Sequence, residues 1–187
     1  MDIFNAAETG NIQRIKTLLE EGVDVNSKNE QGIFPLYIAS QLSNSTSSFE
    51  TVKFLIDNGA NVNLKTVTLG TTPLMAAVER SNSTSSLETV KLLLDNGADI
   101  NIKNIYDANA LYRASMSSDS TSSLETVKFL LDNGADIFVV SSVTHKNPIE
   151  ICPTYECKKT NFRIRMEKII RKRFRYFVKI FKAKYIS

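Results

Sequence analysis

The sequence has 187 residues, of which 42% are hydrophobic and 23% are charged, which is close to an average soluble globular protein and argues against disorder throughout. It contains no apolar run of about 18 residues or more that would form a membrane-spanning helix. Residues 1–157 hold 11 Lys/Arg and 19 Asp/Glu, whereas residues 158–187 hold 12 Lys/Arg and one acidic residue. An acidic body is therefore followed by a strongly basic C-terminal segment, a division that the net charge of +3 conceals.

Four related stretches follow one another along the chain. The weakest copy is GNIQRIKTLLEEGVDVN at 10–26, and the next three are SSFETVKFLIDNGANVN at 47–63, SSLETVKLLLDNGADIN at 85–101 and SSLETVKFLLDNGADIF at 122–138. Equivalent positions are 37 or 38 residues apart. A period of this length indicates a repeat architecture, in which each unit buries its apolar surface against its neighbours.

Each of the last three copies is predicted to form a helix with defined ends. A Ser-x-x-Glu sequence has the spacing of a capping box, in which the two side chains satisfy free N–H groups at the start of a helix. These pairs are Ser47 and Glu50, Ser85 and Glu88, and Ser122 and Glu125. Apolar residues then recur at helical spacing, and Asn-Gly ends each helix because glycine readily adopts the left-handed conformation favoured there.

A shorter helix is predicted before each of these helices. Its sequence is FPLYIA at 34–39, TPLMAA at 72–77 and NALYRA at 109–114, and in the first unit it contains Ala6-Ala7. Proline favours the first position of a helix, and small alanine side chains let neighbouring helices approach closely. A similar start, NPIEIC, occurs at 147–152. The sequence therefore predicts a stack of helix pairs.

The pattern G-x-TPLxxAA…E-x-V-K-x-LL-x-x-GA-D-V-N, matched almost residue for residue by 70–101, resembles the ankyrin repeat. The resemblance covers about residues 1–150 and implies an all-α fold, a helical repeat solenoid of helix-loop-helix units, each with a hairpin turn. The sequence pattern after residue 162 adds an expected long C-terminal capping helix. The expected units are 1–32, 33–70, 71–107 and 108–146, followed by a degenerate unit and cap at 147–187. The units exceed the usual length of about 33 residues because Ser-rich loops are inserted between their helices.

Proteins of this family are similar in being non-catalytic scaffolds that bind another protein through hairpin tips and inner helices, so the resemblance implies a binding surface there. Carrying the repeat pattern across places these partner-binding candidates on it: Ile33, Tyr37, Leu42, Leu69, Met75, Arg80, Ile105, Tyr106, Tyr112 and Met116. Several are apolar or aromatic at positions expected to be exposed, as interface anchors often are. The alternative is that each covers a gap between repeats.

The basic C-terminal segment is predicted to form a two-sided helix from 163 to about 184. Its basic face carries Arg165, Lys168, Arg171, Lys172, Arg175, Lys179 and Lys182. One interpretation is a cap whose apolar face closes the stack. A second is an electrostatic adaptor that holds the repeats on nucleic acid or an anionic membrane surface. A third is a helix offered to another protein's groove, or a nuclear-import-like basic run at 171–175.

No motif of a known catalytic or phosphate-binding site is present, so neither enzymatic activity nor a cofactor is expected. Cys152, Cys157 and His145 supply three metal ligands and no fourth, which argues against a structural zinc site and for two reduced thiols. Because no secretory signal is present, a cytoplasmic, reducing compartment is expected. The protein is also expected to be a monomer. The Asn-, Lys- and Ile-rich composition looks like ankyrin proteins of A/T-rich microbes or large DNA viruses, whose partner would be a host protein.

Overall fold

A computed structural model describes residues 2–43, 47–79, 87–117, 124–153 and 157–158. Its helices are α1 (Ile3–Glu8), α2 (Ile12–Glu20), α3 (Pro35–Leu42), α4 (Phe49–Asp57), α5 (Pro73–Glu79), α6 (Leu87–Asp95), α7 (Ala110–Met116), α8 (Leu124–Asp132) and α9 (Pro148–Ile151). The described ranges contain no β-strand, so the predicted all-α repeat fold is confirmed. The expected long basic helix and most of the Ser-rich loops lie outside the described residues.

The helices form two rows. The inner row is α1, α3, α5, α7 and α9, each of which packs against the next, while α2, α4, α6 and α8 each pack against the inner helix that precedes them. Small side chains allow this close inner packing, since Ala39, Ala77 and Ala114 are fully buried. One apolar core runs from the first unit to Ile137 of the fourth.

The helix boundaries confirm several of the predicted signals and correct one, while Ser85 and Ser122, which begin the other two predicted capping boxes, lie outside the described residues. α3 and α5 begin at a proline, and α7, which lacks one, begins after Asn109, whose side chain accepts from the Tyr112 N–H at 2.9 Å. The predicted capping box at Ser47 is wrong by one residue. Ser48 caps α4 by accepting from the Thr51 N–H at 3.2 Å, so Glu50 falls one position too early to reach back to the cap.

Successive repeats are joined by a ladder of asparagine side chains at their hairpins. The Asn26 amide donates to the Gly59 carbonyl at 3.1 Å and accepts from the Asn61 N–H at 2.8 Å. Asn63 and Asn101 each make the corresponding pair of bonds to the following repeat. The equivalent position in the fourth repeat is the exposed Phe138, so the ladder ends there.

The two cysteines correct a second expectation. Cys152, just after α9, is disulfide-bonded to Cys157, and their Cα atoms are 5.8 Å apart, within the usual range for such a bond. Both residues are buried. The prediction of two reduced thiols is therefore wrong for this structure, because the two sulfur atoms are bonded to each other.

Candidate functional site

The hairpins between helix pairs form a continuous row of four tips among the described residues, at 29–33, 66–71, 104–108 and 141–146. Each tip is closed internally by a polar side chain; Asn104, for example, accepts from the N–H groups of Tyr106 at 2.9 Å and Ala108 at 3.0 Å. Main-chain bonds of 3.1 Å then join each tip to the one before it: Val67 N–H to Gly32, Ile105 N–H to Leu69, and Ser142 N–H to Tyr106. The tips are therefore fixed relative to one another.

Large apolar side chains are exposed along the second, third and fourth tips. We call these residues, which are between 38% and 67% exposed, the apolar tip stripe: Val67, Leu69, Ile105, Tyr106 and Val143. The main-chain bonds between tips make neighbouring members adjacent, whereas the first tip carries the exposed polar residues Glu30 and Gln31. The structure thus exposes Leu69, Ile105 and Tyr106 as expected.

Val67 and Val143 belong to the stripe but were not among the predicted residues. Both could have been found from the repeat spacing, since Val67 lies 38 residues before Ile105 and Val143 lies 37 residues after Tyr106. The main-chain ladder confirms this register, because the N–H groups of Val67 and Ile105 make equivalent bonds to the preceding tip.

The inner helices contribute less exposed surface than expected. Met75 and Tyr112 are only 1% and 3% exposed, so the expectation that their side chains are exposed is wrong. Met75 lies on α5, which packs between α3 and α7. Tyr112 is covered by the fourth hairpin, where its hydroxyl lies 2.6 Å from the Thr144 hydroxyl.

The other predicted residues on the inner side have mixed environments. Met116, at the end of α7, is 39% exposed, whereas Ile33, Tyr37 and Leu42 are half-buried. Arg80 and all seven basic candidates between 165 and 182 lie outside the described residues. Of the predicted inner-helix positions, Met116 therefore offers the most accessible apolar side chain in the part of the chain that is described.

A pocket of about 220 Å³ opens where α7 meets the third and fourth tips. The residues lining it include Asn104, Tyr106, Tyr112, Arg113, Met116 and Val143. Arg113 forms an ion pair with Glu79 of α5, and both side chains are mostly buried. The pocket thus borders the apolar tip stripe and is held by contacts between consecutive repeats.

The described residues lack two features that would indicate other functions. They contain no group of three or more His, Cys, Asp or Glu side chains placed to hold a metal ion. Within the same ranges, none of the helices combines the length and the apolar character that crossing a membrane requires.

Comparisons with known proteins identify the repeat. The family model for ankyrin repeats (3 copies) matches residues 3–104 and 50–141. An ankyrin repeat protein of fowlpox virus is 50% identical over 44 residues, which is 24% of this chain and 31% of that protein. The ankyrin repeat domain-containing protein oryK of Aspergillus oryzae is 42% identical over 60 residues, 32% of this chain and 9% of that protein.

A mouse protein, ankyrin repeat, SAM and basic leucine zipper domain-containing protein 1, is 40% identical over 58 residues. That match covers 31% of this chain and 11% of the mouse protein. The chain thus matches less than a third of the length of each of these three relatives. Ankyrin repeats are generally protein–protein interaction modules without catalytic activity.

Proposed function

The chain belongs to the ankyrin repeat family, and on that premise we propose that it is a non-catalytic module that binds a partner protein through its hairpin tips and inner helices. The observation that carries this proposal is the apolar tip stripe. Contiguous exposed apolar surface marks interaction sites, because it costs free energy to leave it in water. The core of the repeats is already filled by other residues, so the stripe is not needed to close it.

The rigidity of the tips supports the same function. Ordering flexible loops on binding reduces affinity, and the main-chain bonds at Val67, Ile105 and Ser142 hold the tips in place beforehand. Binding energy at interfaces concentrates in a few anchors, of which aromatic residues are the most frequent. Tyr106, at the centre of the stripe and beside the pocket, is the expected principal anchor.

A matched pair of variants tests the proposal. Tyr106→Lys places a charge in the stripe, and Leu124→Lys makes the same kind of change at an exposed apolar residue at the start of α8, away from the tips. Full-length proteins are used to capture partners from host-cell extract, with quantitative mass spectrometry as the readout. A protein retained by wild type and Leu124→Lys and reduced at least about 30-fold with Tyr106→Lys is expected. Equal capture by both variants would contradict the proposal.

A second candidate function is favoured by the charge of residues 158–187, which hold 12 Lys/Arg and one acidic residue. In this function the basic segment holds the repeats on nucleic acid or an anionic membrane surface. Binding to phosphate groups weakens steeply with salt because counterions are released. The test measures retention on heparin, on duplex DNA and on phosphatidylserine vesicles at low and high salt. It compares the full chain with a version that ends at Asn161. Circular dichroism establishes that the shortened chain is folded.

The comparisons also support a proposal about what kind of protein the partner is. Similarity to a fowlpox virus protein supports a host protein as the partner and the host cytoplasm as the compartment. The buried Cys152–Cys157 bond gives this compartment its own test, because a reducing cytoplasm keeps most thiols reduced. Mass spectrometry of alkylated protein from expressing cells tests it: modification of both cysteines would support a reducing compartment, and retention of the disulfide present in the structure would contradict it.

A further inference from the structure

Two positions that join the earlier repeats carry apolar residues in the fourth repeat. Phe138 stands where the preceding repeats have the asparagines of the ladder. Val140 stands where Lys28 and Lys65 each donate to a main-chain carbonyl of the next hairpin, at 3.1 and 2.8 Å. Phe138 and Val140 are 49% and 50% exposed, whereas Val139 between them is buried, so both exposed side chains lie on one side of the chain. We call Phe138 and Val140 the apolar end pair.

The turn before the pair places Phe138 toward the position of a next repeat. The Phe138 N–H donates to the Asp136 carboxylate at 2.8 Å, as the Asn101 N–H donates to the Asp99 carboxylate at 2.9 Å. The two hairpins therefore have the same local geometry. Since the Asn101 side chain reaches the following repeat and accepts from its Asp136 N–H at 2.7 Å, Phe138 faces the corresponding space at the end of the stack.

The sequence that follows lacks the groups with which a ladder asparagine pairs. Those groups are the carbonyl of the glycine that ends the next outer helix and an N–H of the hairpin after it. Residues 159–187 contain no glycine. Apolar residues at 166, 169 and 170 match those of the earlier outer helices, but the Asp-Asn-Gly that ends those helices is replaced by Arg-Lys-Arg at 171–173. A polar side chain at position 138 would therefore not gain these hydrogen bonds, whereas an apolar one can pack against the segment.

An apolar face continues in the segment beyond the point where the other outer helices end. An apolar residue recurs at i, i+3, i+4 and i+7, the spacing of one helix face: Phe174, Phe177, Val178 and Phe181. Each ladder asparagine contacts the glycine that ends the next outer helix, and residue 173 takes the place of that glycine. The repeat register therefore places Phe174 and Phe177 next to Phe138.

The segment begins at the end of the stack that exposes the pair. Cys157 is buried and is bonded to Cys152, which follows α9, and α9 packs against α7 of the fourth unit. Lys158 is the last residue described, and 29 residues follow it. Residues 159–162 extend over at most about 14 Å before the predicted helix begins at 163, so its start stays close to the fourth repeat.

The charges of the two surfaces are complementary. Within 124–138, α8 and the hairpin after it expose Glu125, Asp132 and Asp136 and a single cation, Lys128. Residues 158–187 carry 12 Lys/Arg and one acidic residue. A basic segment that lies beside α8 is therefore attracted to it, whereas a second copy of the fourth repeat in the same place would bring like charges together.

We infer that the C-terminal segment of the same chain covers the apolar end pair, with Phe174 and Phe177 in contact with Phe138. Its basic side chains then face solvent and the acidic surface of α8. The inference does not rest on the proposed function, since it concerns the end of the stack and not the hairpin tips. It selects the capping interpretation of the segment and assigns the residues that make the contact.

The photo-cross-linking residue p-benzoylphenylalanine, placed at position 138 of the full chain, tests the contact while keeping an aromatic side chain there. After irradiation, cleavage after Glu167 releases residues 168–187 as one piece, because no acidic residue follows. The expected result is a cross-link between position 138 and this piece. The control carries the same residue at Val67, which is 67% exposed on the second tip and is expected to give no such cross-link. An equal mixture of ¹⁴N- and ¹⁵N-labelled chains distinguishes contacts within one chain from contacts between two copies.

A double variant of the pair tests whether it holds the segment in place. Phe138→Asn restores the ladder residue, and Val140→Thr replaces an apolar side chain by a polar one of similar shape. Trypsin cleavage at the arginines between 171 and 175 is expected to be about tenfold faster in this variant than in wild type, because cleavage follows the undocked population. Cleavage after the exposed Lys53 and Lys91, in α4 and α6, is the internal control and stays unchanged while the repeats remain folded.

Three results would overturn the inference. The first is the absence of a cross-link between position 138 and residues 168–187, or an equal yield from Val67. The second is a cross-link that forms only between ¹⁴N and ¹⁵N chains, which would make a second copy the occupant. The third is trypsin cleavage of the wild-type segment as fast as that of the double variant or of a synthetic peptide of residues 159–187. Partner capture by the hairpin tips, measured with Tyr106→Lys, is independent of all three.

Discussion

Replacing Asn63 with alanine tests how strongly the asparagine ladder joins the repeats. The Asn63 amide donates to the Gly97 carbonyl at 2.9 Å and accepts from the Asp99 N–H at 2.8 Å, both in the next repeat. At about 0.5–1.5 kcal/mol for each hydrogen bond, the free energy of unfolding is expected to fall by about 1–3 kcal/mol. For a chain of this size, that lowers the melting temperature by about 2–12 °C.

Urea unfolding followed by far-UV circular dichroism measures this loss. The control is Asn58→Ala, which removes a 2.8 Å bond to the Phe54 carbonyl within α4's own last turn and is expected to cost less than about 1 kcal/mol.

A lower slope of free energy against urea is also expected for Asn63→Ala, since repeats that are weakly coupled unfold less cooperatively. If Asn63→Ala loses no more stability than Asn58→Ala, the asparagine ladder does not stabilise the contact between repeats.

Two further predictions concern the tips and the inner row. Gly32→Ala is expected to cost about 2–4 kcal/mol in urea unfolding, because its φ is +71° and a Cβ would lie 2.3 Å from Val67 Cβ. Gly22 also has a positive φ, +88°, but no atom would lie within 4 Å of an added Cβ, so Gly22→Ala should cost about 1–2 kcal/mol. Equal losses of stability in the two variants would show that the Gly32→Ala protein relieves the clash. A double-mutant cycle with Arg113→Leu and Glu79→Gln should give a coupling free energy of about 1 kcal/mol. A coupling free energy of zero would show that the ion pair does not stabilise the fold.

The repeat fold could be predicted because each unit carries its own local signals. Proline at the start of α3 and α5, and Asn-Gly at the end of the outer helices, set boundaries that do not depend on distant residues. Gly59, Gly97 and Gly134 have φ values of +87°, +84° and +90°, as the helix ends require. The start of α4 was misplaced by one residue because two consecutive serines, Ser47 and Ser48, offer the same chemistry.

The candidate site was predictable only in part, because exposure depends on contacts between repeats. Met75 and Tyr112 occupy inner-helix positions that the repeat pattern assigns to the surface, yet neighbouring elements cover both. The pocket is formed by residues as far apart as Asn104 and Val143, which no local sequence pattern brings together. Val67 and Val143, in contrast, could have been found by applying the repeat spacing at every tip.

A photo-cross-linking residue in the apolar tip stripe tests whether a partner protein contacts this surface, as we propose. Such a residue is placed at Ile105, in the stripe, and in a second protein at Leu124, which is exposed but away from the tips. After irradiation in host-cell extract, we expect a discrete protein adduct at Ile105 that is absent at Leu124. The adduct at Ile105 is expected to disappear when the same protein also carries Tyr106→Lys. Adducts of equal yield at both positions, or at Leu124 alone, would contradict the account.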